Sequence, residues 1–481
     1  MPHSKLQKIA YFSLILFLIL EVVFAVIQHY QFPLDGDLAN IVLPDPGYQK
    51  VLDDPFGWGV IWNDATYPAT NRFFAHWFQM IYFKNVPLWL QAFVDPINSI
   101  YLACALAKTV IQFILVFVLG IAITSGRSWF SRDHLLASVL ISPLFQTFGY
   151  NGYMGIIDPS ITYTFFYAFA SLLLFLFFLP FYKISFHGIT TRMSRLQKLG
   201  LLLLTFVVPF HGPLNAAVIL IVCPLVLIYV CWKNFNNWKG ESWINGIWSA
   251  IKAIPSSMTF FFILISALSL YSFYIGRNNS ENYWVEVSIL ERYAKLPLGV
   301  YYQFTQKLGL PLLLLFVLIN SLLINRFGIQ KKKLNNLLQW IGILSLIYLL
   351  LLPLGGYREY RPNIVRRDTI MPILLALFFY FGLSTYVILK SDLLKKGRFI
   401  AAICLFEIIF LVADAKVMEK NSCEKETLQE LANSVESEVL LEKDCTVMSW
   451  RKIEEFDHSK NSAALLYYWG IMDSPKSFKH K

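Results

Sequence analysis

The run Ile9-Ala10-Tyr11-Phe12-Ser13-Leu14-Ile15-Leu16-Phe17-Leu18-Ile19-Leu20-Glu21-Val22-Val23-Phe24-Ala25-Val26-Ile27-Gln28 carries a single charge, Glu21. A helix of roughly 20 apolar residues is long enough to cross the hydrocarbon core of a bilayer. Lys5 and Lys8 precede the run, and no small-x-small cleavage site follows it. It is therefore expected to be an uncleaved anchor rather than a signal peptide. Comparable runs recur near 9–28, 99–124, 134–150, 160–182, 199–211, 214–232, 255–275, 309–325, 336–354, 369–390 and 399–415. The expected fold is an all-α polytopic membrane protein with about 11 transmembrane helices. A composition of 56% hydrophobic and 15% charged residues agrees, since it leaves too little charge to clothe a water-soluble chain of 481 residues.

Charge orients the spans. One set of connections holds Arg127 and Arg132; Lys183, Arg192, Arg195 and Lys198; Lys233, Lys239 and Lys252; Arg326, Lys331, Lys332 and Lys333; and Lys395, Lys396 and Arg398. These five loops alternate along the chain, so the positive-inside rule puts them in the cytoplasm with the N-terminus. The net charge of +10 follows this pattern, which implies a membrane and no nucleic-acid partner. The domain expectation is a multi-span unit, 1–415, and a small extracytoplasmic C-terminal segment, 416–481. The first outer loop, 29–98, is long and acidic, with Asp35, Asp37, Asp45, Asp53, Asp54, Asp64 and Asp95. Residues 72–83 read as an interfacial helix with aromatic anchors, and 284–306, including Trp284, as a second. Within the tail, 424–443 reads as a charged helix. Cys423 and Cys445 could pair there in an oxidising compartment.

One outer loop breaks the charge pattern. Tyr357-Arg358-Glu359-Tyr360-Arg361-Pro362-Asn363-Ile364-Val365-Arg366-Arg367-Asp368 puts four arginines where short translocated loops avoid basic residues. Arginine's planar fork binds phosphate bidentately. A phosphate-bearing ligand is the expected reason for Arg358, Arg361, Arg366 and Arg367, with Tyr357 beside them. The alternative is that the arginines snorkel to lipid phosphates or pair with Glu359 and Asp368.

The candidate acid–base groups are carboxylates. Asp35 and Asp37, in Pro33-Leu34-Asp35-Gly36-Asp37, follow the first span closely. A carboxylate there can act as general base on a substrate presented at the membrane surface. The pair could instead hold a divalent cation such as Mg²⁺ or Mn²⁺, or simply form a turn. Asp158, before Pro159 and Ser160, has the grammar of a helix cap; facing the same outer cavity is its second reading. Arg72 and His76 share a helix face, and His211 sits at an outer turn; these are weaker binding candidates. No Cys/His cluster has zinc-ligand spacing, and no organic cofactor is implied.

With these features in place, the architecture resembles the GT-C class of membrane glycosyltransferases. Such enzymes take sugars from polyprenyl-phosphate donors on the extracytoplasmic face. Their long first outer loop carries surface helices and an essential acidic residue soon after the first span, here Asp35 or Asp37. The resemblance further implies a second acidic residue at Asp158 and lipid-phosphate contacts from Arg358, Arg361, Arg366 and Arg367. Asp-Gly-Asp departs from the adjacent acidic pair of several members, and the tail is far smaller than the soluble domain of oligosaccharyltransferases. The partners implied are membrane lipid, a polyprenyl-phosphate-linked sugar and a glycan or lipid acceptor, in a bacterial inner membrane and its cell envelope. Competing readings are a polysaccharide polymerase or ligase using lipid-linked oligosaccharide, a flippase or transporter of an anionic lipid-linked glycan, and a non-enzymatic assembly factor. A transporter predicts charged residues inside spans, where few occur, among them Glu21, Lys108, Glu407 and Asp414, mostly near span ends.

Overall fold

A computed structural model describes residues 2–125, 128–145, 155–187, 193–238, 242–282, 287–306, 308–358, 361–392, 396–413 and 419–481. Arg127, Arg192, Lys239, Trp284, Glu359, Lys395, Asp414 and part of the 134–150 run lie outside these residues. Eight described helices are long and apolar enough to cross a membrane: Gln7–Tyr30, Pro96–Thr124, Ile161–His187, Pro213–Asn236, Ser256–Gly276, Gly309–Phe327, Lys331–Gly355 and Met371–Lys390. The three further expected segments are shorter or more charged. Arg132–Val139 is helical for 8 residues and Arg195–Val207 for 13, while Lys396–Ala413 carries Lys396, Arg398 and Glu407 within 18.

The outward faces of the spans are apolar. Phe12, Leu16, Ile19 and Leu20 are all exposed, as are Leu315, Leu318 and Leu322. Apolar surface on this scale has no place in water and suits contact with lipid. Two helices form the bundle centre, Pro96–Thr124 and Met371–Lys390, with 78% and 72% of their most apolar windows buried. Asp95 starts the first of these: its carboxylate accepts the Asn98 N–H at 3.0 Å, and Pro96 fits the first turn. Gly382 lets the two approach, since a Cβ there would lie 2.7 Å from Ile123.

Connections gather at two ends. At one, Lys390 pairs with Asp133, Asn335 bonds Asn325, and the Lys333 ammonium lies over the Phe186 ring. At the other, the long loop after the first helix is stitched to the rest. Ser280 donates to Tyr67 O, Thr70 to Ile275 O, and Phe74 N–H to Phe210 O. This loop folds into helices Leu38–Val42, Pro46–Asp53, Trp58–Asn63 and Phe73–Leu90. The last runs seven residues past the expected 83, burying Ala75, His76, Gln79 and Phe83 while exposing Ile81, Leu88 and Trp89. Beyond Trp284, the 284–306 segment forms Ile289–Ala294 and Leu296–Thr305, with Leu290 and Tyr301 exposed. Asn278 is buried and donates to Asp64, adding a further tie between the end of Ser256–Gly276 and the long loop after the first helix.

The C-terminal segment is a mixed cap, where an all-α tail was expected. Helix Ser422–Asn433 ends before the predicted 443, and the chain turns into strand β1, Glu438–Leu441. It pairs in parallel with β2, Ser477–His480. Cys423 and Cys445 form the disulfide left open by the sequence. The cap's Leu428, Leu431, Trp469 and Phe478 share one apolar core with Leu38, Phe83 and Tyr101. Trp469 donates its indole N–H to Phe83 O at 2.9 Å. With a sequence separation of 22, the cross-link is expected to contribute about 3 kcal/mol to cap stability. A Cys423→Ser, Cys445→Ser double variant should therefore show faster amide exchange across the cap, while the spans keep their protection.

Candidate functional site

The two aspartates of Pro33-Leu34-Asp35-Gly36-Asp37 have different fates. Asp35 is 4% exposed and saturated. Its Oδ2 accepts from Ser160 Oγ at 2.7 Å and Thr162 N at 2.9 Å; its Oδ1 accepts from Thr162 Oγ1 at 2.9 Å and Asp37 N at 3.1 Å. A carboxylate offers about four acceptor sites, so Asp35 has none to spare for a substrate proton or a cation. It sits on the N-terminus of helix Ile161–Tyr163, where negative charge is favoured. Lys108, 1% exposed in the central helix, donates to Pro159 O and adds positive charge below Asp35 and Asp158.

Asp37 stands at the start of helix Leu38–Val42, yet its side chain makes no capping bond. It lies within electrostatic reach of Asp35, Trp450, Arg361 and Glu281. Burial, and then the charge of Asp35, push its pKa up to about 6, against the opposing pull of Trp450 and Arg361. A carboxylate poised there is near the optimum for a general base at neutral pH.

The arginine loop converges on the same place. Arg367 pairs with Asp158 at 2.6 Å, joining two loops predicted to share a face. Asp158 also accepts Ser160 N at 2.9 Å, but it is not the helix cap expected of it: Ser160 caps Ile161–Tyr163, its Oγ accepting the Tyr163 N–H at 3.2 Å. The Asp158 carboxyl is pushed up by burial, which outweighs Arg367. Asp368 holds the loop together: Arg366 grips it through Nε at 3.0 Å and Nη2 at 3.1 Å, and Arg361 Nη1 lies 3.4 Å away. Burial raises the Asp368 pKa, but Arg366, Arg361 and Arg367 together bring it below the usual range. Arg358 pairs with Glu281. All four arginines are thus paired, Arg361 and Arg366 with the expected Asp368, but Arg367 and Arg358 with Asp158 and Glu281. Glu359 lies outside the described residues. Arg366 is the most committed, because its Nη1 also donates to Asn363 O at 2.8 Å. Tyr357 is 9% exposed and faces the Lys295 ammonium.

Aromatic rings line the cluster. The Arg361 guanidinium lies 4.6 Å from the centre of Tyr163, which stacks on Trp450 at 5.5 Å. Arg72 lies over Phe166 at 5.5 Å, and His76 stacks on Tyr48, whose hydroxyl donates to Glu281. Burial, then Arg72 and His211, hold the His76 pKa near 3, so this ring is neutral and a poor general acid. His211 is fully buried and bonded to Phe165 O. His76 and His211 are thus both enclosed, His76 between the Tyr48 and Phe166 rings and His211 against Phe165 O. Thr164–Phe169 is π-helical, a local widening that recurs at functional sites. Among the described residues, no group of three or more His, Cys, Asp or Glu could hold a metal ion.

The sequence reading missed Trp450, Glu281, Tyr48 and Tyr163. Trp450 and Glu281 reach the cluster from distant parts of the chain, while Tyr48 and Tyr163 lie near Asp37 and Asp158 in sequence and carry no signal beyond being aromatic. A cleft of about 460 Å³ adjoins the loop, lined by Leu296, Pro297, Val300, Leu346, Leu349 and Val365. No protein-family model, curated protein or solved structure matches the chain.

Two consequences are measurable. The folded Asp37 pKa lies above its unfolded value, so the folded state binds this proton more tightly. The group's contribution to stability is full below about pH 4 and declines as pH rises through about 6. Asp37→Asn should therefore raise the unfolding temperature at about pH 8 and leave it nearly unchanged at about pH 4. Asp368→Asn should act oppositely, costing on the order of 3 kcal/mol by leaving Arg361 and Arg366 without their carboxylate. Thermal unfolding in detergent reads both.

Proposed function

We propose that this protein is a membrane glycosyltransferase of the GT-C type. It moves a sugar from a polyprenyl-phosphate donor to a glycan or lipid acceptor on the extracytoplasmic face. The observation that carries the reading is the pairing of one base-poised carboxylate, Asp37, with an arginine-rich loop beside an apolar cleft. The donor's isoprenoid chain lies in the cleft between Leu296–Thr305 and Lys331–Leu351, and its phosphate reaches Arg361 and Arg358 past Val365. An arginine has five donors, more than one carboxylate engages. Arg366, tied to Asp368 and Asn363, positions its neighbours. The acceptor hydroxyl gives its proton to Asp37 and attacks the anomeric carbon. The bond to the phosphate oxygen breaks, with inversion, and the guanidinium groups stabilise the charge growing on the leaving phosphate.

In this reading the three shorter or more charged segments complete eleven crossings, and the Lys333–Lys390 end faces the cytoplasm of a bacterial inner membrane. The Cys423–Cys445 disulfide supports an oxidising, outer location for the cap. A transporter of the same glycan would use the arginines but has no need of a carboxylate poised near neutrality. A divalent cation, if one is used, would have to find Asp37, since Asp35 is saturated.

Purified protein incubated with a panel of polyprenyl-phosphate sugars should release lipid phosphate. Asp37→Asn should lower turnover by about 10²–10⁴ while donor binding persists. Arg361→Ala should weaken donor binding. Turnover by Asp37→Asn equal to wild type would remove the base role.

A further inference from the structure

The helix Trp243–Lys252, between Pro213–Asn236 and Ser256–Gly276, reverses the burial pattern of a helix in a water-soluble protein. Its sequence is Trp243-Ile244-Asn245-Gly246-Ile247-Trp248-Ser249-Ala250-Ile251-Lys252, and Ser242 caps it by accepting the Asn245 N–H. Trp243, Ile244, Ile247, Trp248 and Ile251 recur at the spacing that puts them on one helix face. That face is open: Trp243 is 67% exposed, Ile244 61% and Trp248 60%. The small residues Gly246 and Ala250 are the buried ones. A Cβ at Gly246 would come within 2.8 Å of Trp238 Cδ1 and 2.9 Å of Phe235 Cε2, so glycine lets the helix dock closely on the end of Pro213–Asn236. Asn234 ties it there, donating to Ala250 O at 3.1 Å.

A helix of this length measures about 15 Å, half of what a crossing needs. Short connections on both sides hold it at the level of the flanking span ends. Those spans expose apolar residues close to the same level, Ile228 and Trp232 on one and Phe260 and Ile263 on the other. The open face thus continues a surface already suited to lipid. Trp232, Trp238, Trp243 and Trp248 gather here, all exposed, and indole rings favour the boundary between membrane and water. Charge names the kind of surface. From Arg195 to Lys252 the sequence has Arg195, Lys198, Lys233, Lys239 and Lys252 but one acid, Glu241. Lys233 and Lys252 are exposed beside the docked helix, and the Lys252 ammonium lies over the Trp248 ring at 5.3 Å. We propose that Trp243–Lys252 is a membrane-surface anchor: its tryptophan–isoleucine face lies at the headgroup–acyl boundary, and its lysines meet the phosphates of anionic lipids. The end involved is the one that carries Lys333 and Lys390, since Tyr229 packs on Trp340 of Lys331–Leu351 at 5.3 Å. The surface uses neither Asp37 nor the arginine loop and is independent of the transferase reading.

A nitroxide label on the open face tests this in the full-length protein. Cys231→Ser and Cys404→Ser remove the more accessible thiols, Cys104 and Cys223 are buried, and the Cys423–Cys445 disulfide is kept. Ile244→Cys is labelled in a nanodisc of mixed phosphatidylglycerol and phosphatidylcholine. Its spin relaxation is then read against oxygen, which concentrates in the bilayer, and a neutral nickel chelate, which stays in water. The oxygen-to-nickel ratio should exceed several-fold that of a label at Val435→Cys in the cap, a position 98% exposed. The ratio at Ile244→Cys should fall in pure phosphatidylcholine, and Lys233→Gln with Lys252→Gln should abolish that dependence on lipid charge. A ratio equal to that at Val435→Cys overturns the proposal, because the face then meets water. Shielding from both reagents overturns it too, because a second copy or another protein then covers the face. Equal ratios in the two lipid compositions overturn the anionic assignment. Should Ile244→Cys fail to fold, Ile251→Cys on the same face decides by the same criteria.

Discussion

The end of the molecule that carries the arginine loop is organised around one buried carboxylate. Asp35 takes four hydrogen bonds from Ser160, Thr162 and Asp37 N, and thereby ties the long loop after the first helix to the start of the third long helix. An ionised carboxylate out of water is tolerable only when every acceptor site is filled, and here the helix N-terminus and Lys108 add positive potential. This bond set dictates where Asp37 must stand, two residues on, with its own carboxylate unused by the helix that follows. It also places Asp158, and through Asp158 the arginine loop. Without Asp35 the two halves of the cluster have no common anchor.

The division of labour between the two aspartates follows from this. Asp35 is held; Asp37 is destabilised in its charged form by burial and by Asp35 itself. Like charges close together push one pKa upward, so Asp35 adds to the shift that burial produces at Asp37. The arginine loop is balanced in the same way. Asp368, Asp158 and Glu281 neutralise charges that would otherwise repel, and they hold the guanidinium groups in fixed directions. Preorganised donors are worth most where they need not move when charge develops.

Much of this frame was legible in the sequence. The apolar runs fixed the membrane class, and the alternation of basic loops put Asp35, Asp158 and the arginines on one side; Arg367 does meet Asp158. Which aspartate is held and which is poised was not legible, because the answer depends on donors at Ser160 and Thr162, more than 120 residues away. Trp450 was invisible for the same reason: its partner Gly36 looks like an ordinary turn residue until the cap is packed against it. The arginines' carboxylate partners were only half legible. Asp368 is adjacent in sequence, whereas Glu281 reaches Arg358 from another loop. The count of crossings was blurred where helices such as Arg195–Val207 are too short to announce themselves.

The central claim is that the arginine loop holds a lipid-borne phosphate beside Asp37. Electron cryomicroscopy of the protein in a nanodisc with a saturating polyprenyl phosphate addresses it most directly. The account predicts phosphate density within about 3.2 Å of a guanidinium nitrogen of Arg361 or Arg358, with the isoprenoid chain in the cleft between Val300 and Leu349. Phosphate density at the opposite end, beside Lys333 and Lys390, or chain density remote from that cleft, would contradict it.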